Sequence, residues 1–343
     1  MAMSTIKNMR RGILSVAASL PLLAATGWAK APALPEPAQA FVDEMVGRHH
    51  FDRRELTALL AGARHRQDIL DAISRPAEAK PWYQYRRLFI TEDRIRGGVD
   101  FWNAHEELLT RAERELGVPA EIIVAIIGVE TRYGANTGRY PVLDALTTLG
   151  FGYPRRGEFF RNELEQFLLL SREEPIDPAT ALGSYAGAMG QPQFIPSSYR
   201  RYAVDFDRDG RRDLWNSTPD VVGSVANYFV RHGWSAGEPI AAPALGGNGS
   251  HQAFVEAGTE PSIPLKELAA AGIDGPADLP PESLASLIRL EVKQGYEYWL
   301  GLHNFYVITR YNRSNLYAMA VYQLSQEIRT RHQYEEKNAA AAR

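Results

Sequence analysis

The sequence contains no cysteine. That absence excludes a disulfide framework, thiolate metal sites, a cysteine nucleophile and lipid attachment through an N-terminal cysteine. Concentrated charge is also missing. The formal net charge is −3, no long run of one sign occurs, and the arginine clusters (Arg155-Arg156, Arg200-Arg201, Arg211-Arg212) are only pairs. A nucleic-acid partner is therefore not expected, since such binding needs a basic face or stripe. The eight histidines show no His-x-x-x-His or similar spacing, which argues against a zinc enzyme. No internal repeat is visible.

What is present is a chain of 343 residues with 45% hydrophobic content, enough for a sizeable core or two closely joined subdomains. Lys7, Arg10 and Arg11 precede an apolar run at residues 13–25, and Gly27-Trp28-Ala29 offers a small-x-small cleavage site. Residues 1–29 therefore read as an export signal, with an uncleaved anchor as the alternative. The run is short for a membrane span, which needs about 20 residues. A soluble periplasmic protein without a lipid anchor is expected, with its stability resting on the core and a bound metal.

Residues 30–40 form a Pro/Ala-rich linker. Residues 41–116 carry helical spacing (Phe41, Met45, Val46; Leu56, Leu59, Leu60), interrupted by an aromatic extended turn at residues 80–85. Residues 117–237 alternate helices with Gly/Pro loops. From residue 238 the composition shifts, and β-type runs are expected at 286–292, 296–300 and 305–310 within a β-rich region, 238–310. Residues 311–334 include a closing helix, and 335–343 should fray. The fold class is mainly α (α+β), a helical core carrying one small β-rich insertion.

Within the core, Pro119 suits the first turn of a helix and Glu121 its positive end. Residues 122–129 are then apolar on nearly every side, the mark of a helix buried all round. Glu130 is the first ionisable group after that run, and Gly134 is a natural C-cap. Desolvation and the negative helix end both raise a carboxyl pKa there, while Arg132 opposes them, leaving the direction open. A general acid for glycosidic cleavage and a helix-end ion pair with Arg132 are both compatible with this pattern.

The Gly-rich segment at residues 183–199 lacks lysine, which excludes a nucleotide-phosphate loop. On its own it fits ligand binding or tight helix packing equally. Four motifs together are more specific: Ile126-Ile-Gly-Val-Glu-Thr-Arg-Tyr-Gly134, Tyr153-Pro-Arg-Arg156, Ser184-Tyr-Ala-Gly-Ala-Met-Gly-Gln-Pro-Gln-Phe194 and Thr309-Arg-Tyr-Asn-Arg-Ser-Asn-Leu-Tyr317. In order and spacing, over residues 40–332, they resemble the lytic murein transglycosylase B family (glycoside hydrolase family 103). The resemblance implies a lysozyme-like helical core flanked by an α domain and a small β domain. It implies peptidoglycan glycan strands as the partner and Glu130 as the only catalytic acid/base, without a catalytic cofactor.

On the same resemblance, Ser184 holds the substrate's acetamido group, Gln193 lies beside it and Phe194 faces a sugar. Tyr85, Arg155, Arg156, Tyr311, Asn312 and Tyr317 correspond to cleft residues, and Phe159 stands where relatives often carry tyrosine. No second acid lies in the Gly-rich segment, which agrees with substrate-assisted chemistry. A hydrolase of the same fold and a catalytically silent wall-binding scaffold are the rival functions. Wall-synthesis partners are conceivable, and a monomer is expected.

Asp205, Asp207, Asp209 and Asp213 occupy positions 1, 3, 5 and 9 of a loop with Gly210 at 6, an EF-hand spacing suited to Ca²⁺. Position 12 is Asn216 in place of the bidentate glutamate. The resemblance suggests a lengthened loop closed by Asp220, with the Arg211 carbonyl as a further ligand. An acidic Asx-turn is the alternative. A bound ion is expected to be structural and to take no part in the chemistry.

Overall fold

The computed structural model describes residues 34–74, 80–246 and 251–341. The expected signal, residues 1–29, and the start of the linker lie outside them. The chain opens with α1 (Glu36–His49), α2 (Arg53–Gly62), α3 (Gln67–Ile73), α4 (Trp82–Phe89), α5 (Glu92–Ala104) and α6 (Glu106–Leu116). Helix α1 begins directly after Pro35, so the expected linker is helical from Glu36. The aromatic stretch expected as an extended turn is α4, capped by Pro81. Its Trp82 and Tyr85 fall on one helical face and are both buried.

Helix α7 (Ala120–Thr131) runs through the centre of the helical body, packed on α5, α6 and two later helices, α11 (Thr218–Arg231) and α15 (Asn315–Ala341). Every residue from Ile122 to Val129 is buried, as an all-apolar helix requires. Between α7 and α11 come β1 (Tyr140–Pro141), α8 (Val142–Gly152), α9 (Gly157–Glu173), β2 (Leu182–Gly183) and α10 (Pro196–Tyr202). β1 and β2 pair antiparallel, bringing the start of the Gly-rich segment beside the chain that follows α7.

The insertion comprises β3 (Ala241–Pro243), β4 (Leu245–Gly246), α12 (His251–Glu256), β5 (Ile263–Pro264), α13 (Leu265–Ala270), β6 (Ile273–Asp274), β7 (Leu284–Glu291) and β8 (Tyr296–Gly301). Its main sheet has the order β3-β8-β7-β5, all antiparallel. Alternation along β7 serves two cores. Ala285 and Leu287 join a small cluster with Leu265, Leu268 and Ile273, while Ile288 and Leu290 join the main core.

The run at 305–310, expected as a strand, is instead helix α14 (His303–Thr309). Asn304 ties it down: its amide donates to the Ser235 and Glu238 carbonyls at 2.8 and 3.0 Å, and its oxygen accepts from the Ser235 N–H. Phe305 and Ile308 then fall one turn apart and both enter the main core. The end expected to fray is helical, since α15 continues to Ala341.

Candidate active site

The exit of α7 sets the site. Arg132, Tyr133 and Gly134 take successive left-handed φ values of 52°, 60° and 85°. The C-cap is thus Arg132 and not Gly134, and the turn is held by a 2.7 Å hydrogen bond from the Tyr133 hydroxyl to the Arg94 carbonyl. A tight reversal leaves Glu130 at the last turn of a helix whose other residues there are buried. Glu130 itself keeps intermediate exposure, yet its carboxyl is crowded by protein. Desolvation therefore raises its pKa from 4.5 to about 7. The counteracting group is the Tyr317 hydroxyl, which donates to Glu130 Oε1 at 2.5 Å. Arg132, expected to oppose the shift, is exposed to solvent.

Tyr317 lies near the start of α15 and is buried. Tyr311 stacks on it with ring planes 12° apart and donates to the Pro192 carbonyl at 2.6 Å. Burial, followed by the charge of Glu130, pushes both phenols well above 10, so Tyr317 remains a donor at neutral pH. No carboxylate is among the groups that shift Glu130. The pair of acids that most glycosidases use would be mutually perturbing at about 5–9 Å.

The Gly-rich segment folds back on itself through bridges joining Met189 to Gly183 and to Phe194. A Cβ at Gly183 would meet the Ala188 carbonyl oxygen at 2.3 Å, so only glycine permits the fold-back. Ser184 Oγ accepts from the Ala186 and Ala188 N–H groups at 3.2 and 3.0 Å. These use the two acceptor sites of a hydroxyl and leave its proton to be donated. Gln193, at φ 52°, donates to the Thr137 and Gly190 carbonyls at 3.0 and 2.9 Å. The bond to Thr137 ties the segment to the chain just beyond Glu130.

The expected aromatic contacts divide. Tyr311 and Tyr317 join the Glu130 group, with Asn312 beside Tyr311 in sequence and half-buried. Phe194, expected to face a sugar, is only 2% exposed and packs on Tyr228 and Tyr311 at 5.5 and 5.8 Å. Tyr85 is likewise 2% exposed, against Trp82 and Phe89, and is near enough to influence Tyr317. Both rings back the site from the core, because their elements turn them inward. Arg155, Arg156 and Phe159 occupy the corner between α8 and α9, where the Arg156 guanidinium lies 4.3 Å from the Phe159 ring centroid. Tyr228, from the apolar face of α11, belongs to none of the four motifs. It supports Tyr311 at 4.7 Å.

In the acidic loop, carboxylate oxygens of Asp205, Asp207 and Asp209 lie within 4.8 Å of one another. Hard oxygen donors so grouped fit a cation such as Ca²⁺. Asp213 and Asp220 stand outside this group. Asp213 accepts from the Trp215 and Asn216 N–H groups, and Asp220 uses one oxygen on Phe206 N and the other on Asp213 N, each at 2.8 Å. Asp220 therefore closes the loop through backbone bonds, with its carboxyl pKa raised by burial and near enough to Asp207 and Asp205 to be raised by their charge as well.

Residues 34–326 match the Transglycosylase SLT domain family. The membrane-bound lytic murein transglycosylase B of Escherichia coli is 48% identical over 301 residues, covering 85% of this chain and 82% of that protein. The soluble lytic transglycosylase SltB1 of Pseudomonas aeruginosa superposes with a TM-score of 0.81 at 54% identity, covering 86% of this chain and 99% of that one. The Escherichia coli lytic transglycosylase Slt35, crystallised with calcium, gives a TM-score of 0.79 at 47% identity, covering 87% and 94%. Over most of its length the chain thus shares its fold and about half of its residues with these relatives, and it belongs to the lytic murein transglycosylase B family of SLT-domain proteins.

Proposed function

We propose that this chain is a lytic transglycosylase of peptidoglycan that cleaves the β-1,4 bond between N-acetylmuramic acid and N-acetylglucosamine and leaves a 1,6-anhydro end. The observation that carries this reading is the desolvated carboxyl of Glu130, held by the Tyr317 hydroxyl with no second carboxylate acting on it and with a pKa of about 7. Such a group is half protonated near neutrality, which suits service first as acid and then as base. Glu130 gives its proton to the glycosidic oxygen as the C1–O bond breaks. The substrate's acetamido oxygen bonds to C1 in its place, and Glu130 is left as carboxylate. It then removes the proton of the muramoyl 6-hydroxyl, whose oxygen displaces the acetamido oxygen at C1. The acid is regenerated and no water is consumed.

Ser184 supports this route because its hydroxyl proton is free to donate to the acetamido carbonyl. Tyr317 orients Glu130, and Tyr311, Asn312 and Gln193 frame the same region. Arg155, Arg156 and Phe159 supply a more distant part of the substrate path. Digestion of purified glycan strands followed by mass spectrometry tests the reading. The expected ends are anhydro; ends heavier by one water would make the protein a hydrolase, and no release would make it a scaffold.

The loop carboxylates of Asp205, Asp207 and Asp209 are proposed to hold a structural Ca²⁺, a reading supported by their grouping and by the calcium complex of Slt35. The Arg211 carbonyl and Asp213 are the nearest further donors in the loop sequence. Export by residues 1–29 to the periplasm, in soluble form, is proposed from the basic and apolar pattern and the lack of cysteine. No helix among the described residues is long and apolar enough to cross a membrane.

A further inference from the structure

Thr131 follows Glu130 and takes no part in the proton transfers above. It is 1% exposed. A buried helical threonine ordinarily bonds back to the carbonyl four residues earlier. Here the Ile127 carbonyl is the longer contact, at 3.3 Å, and the Gln191 carbonyl is the shorter, at 2.9 Å. One hydroxyl has one proton, so the stronger donation leaves the helix and crosses to the Gly-rich segment. The same oxygen accepts from the Gly134 N–H at 3.1 Å, tying it to the left-handed exit.

Gln191 continues the connection. Its N–H donates to the Leu214 carbonyl at 2.8 Å and its side-chain amide to the Trp215 carbonyl at 3.1 Å. Gly190 sits so close to the same carbonyl that a Cβ there would come within 2.4 Å of the Leu214 oxygen. The Gly-rich segment is thereby clamped between the end of α7 and the chain leaving the acidic loop. Within that clamp, the bond from Thr131 to Gln191 begins at the residue next to the reacting carboxyl.

We propose that Thr131 is a positioning residue, whose hydroxyl fixes the Glu130 carboxyl relative to the segment carrying Ser184 and Gln193. The inference rests on the assignment of Glu130 as acid and base. A small misplacement of that carboxyl slows the chemistry more than it weakens binding, because substrate is held by many other groups. Thr131→Val keeps the shape and removes the hydroxyl, whereas Thr131→Ser keeps the hydroxyl.

The full chain carrying each substitution should be assayed on soluble glycan-strand fragments, with thermal melting measured alongside. For Thr131→Val, kcat should fall about 10- to 100-fold with KM within about twofold, and Thr131→Ser should recover kcat to within about threefold. A Thr131→Val protein that melts lower but turns over normally would reduce Thr131 to a packing residue, as would a Thr131→Ser protein as slow as the valine variant. If Thr131→Val does not fold, Thr131→Ala removes the same hydroxyl without crowding and should show the same kcat-selective loss; normal turnover there overturns the proposal. Glu130→Gln assayed in parallel separates the two readings. Activity in it defeats the acid/base assignment, while its inactivity beside a normal Thr131→Val protein defeats only the positioning role.

Discussion

At the scale of single residues, the carboxyl of Glu130 links stability to function. Its pKa is about 7 in the folded chain, against an ordinary value of 4.5. Between those pH values the folded state holds the proton more tightly than the unfolded state, so stability falls as pH rises through that window. Above pH 7 the cost of the buried charge is fully present. Glu130→Gln should therefore be inactive yet more stable at pH 8, by about 1–3 kcal/mol, with the gain disappearing below pH 4.5. Denaturant unfolding of both proteins across pH 4–8 would check this, and equal stability at pH 8 would mean the carboxyl is well solvated. Tyr317→Phe tests the same group from the other side. Its hydroxyl lowers the Glu130 pKa, so its loss should move the alkaline limb of the pH–rate profile upward. The apolar run makes Glu130 conspicuous in sequence but leaves a general acid and an ion pair with Arg132 equally open, and only the four motifs together favour the acid. The inward turn of Phe194 and Tyr85 is not legible there, since an aromatic ring suits a sugar and a core equally well.

At the scale of elements, periodicity serves where one environment surrounds a whole segment and misleads where a few contacts decide the outcome. Helix α7 is readable because it is apolar on every side. Helix α4 is not, because Pro81 resembles a turn residue while acting as the cap of a helix. Helix α14 is hidden by β-branched residues, and its conformation is fixed by Asn304 bonds to backbone some 66–69 residues away. The acidic loop shows the same division. Its spacing locates Asp205, Asp207 and Asp209, but the backbone engagement of Asp220 depends on how α11 docks. Ca²⁺ binding there should raise the melting temperature by several degrees at about 100-fold excess over Kd, by mass action on the folded state. Asp207→Asn should abolish that rise while leaving the turnover of the folded enzyme close to wild type. Differential scanning calorimetry with Ca²⁺ and with a chelator reads the shift; an unchanged response in the variant would remove Asp207 from the site.

At the scale of the whole molecule, the composition shift near residue 238 marks a distinct β-rich part, and the packing of β7 explains why it stays attached. Its small cluster, including Leu265, Leu268, Ile273 and Leu287, is enclosed by the insertion's own elements. The opposite face of β7 sends Ile288 and Leu290 into the main core, on the side where β7 packs on α4. The insertion can therefore loosen on one face without releasing the other. Leu268 is fully buried in the small cluster, and truncating such a side chain costs about 2–5 kcal/mol. Leu268→Ala should speed hydrogen exchange in residues 263–274 and along β7, while α7 and α15 keep their protection and the pH–rate profile keeps its shape. Ile288→Ala removes a fully buried side chain from the main core and should reduce protection in that core as well. Mass-resolved hydrogen exchange distinguishes these patterns. Equal loss of protection everywhere in Leu268→Ala would mean that the two clusters unfold as one unit, and that β7 transmits the insertion's stability directly to Glu130.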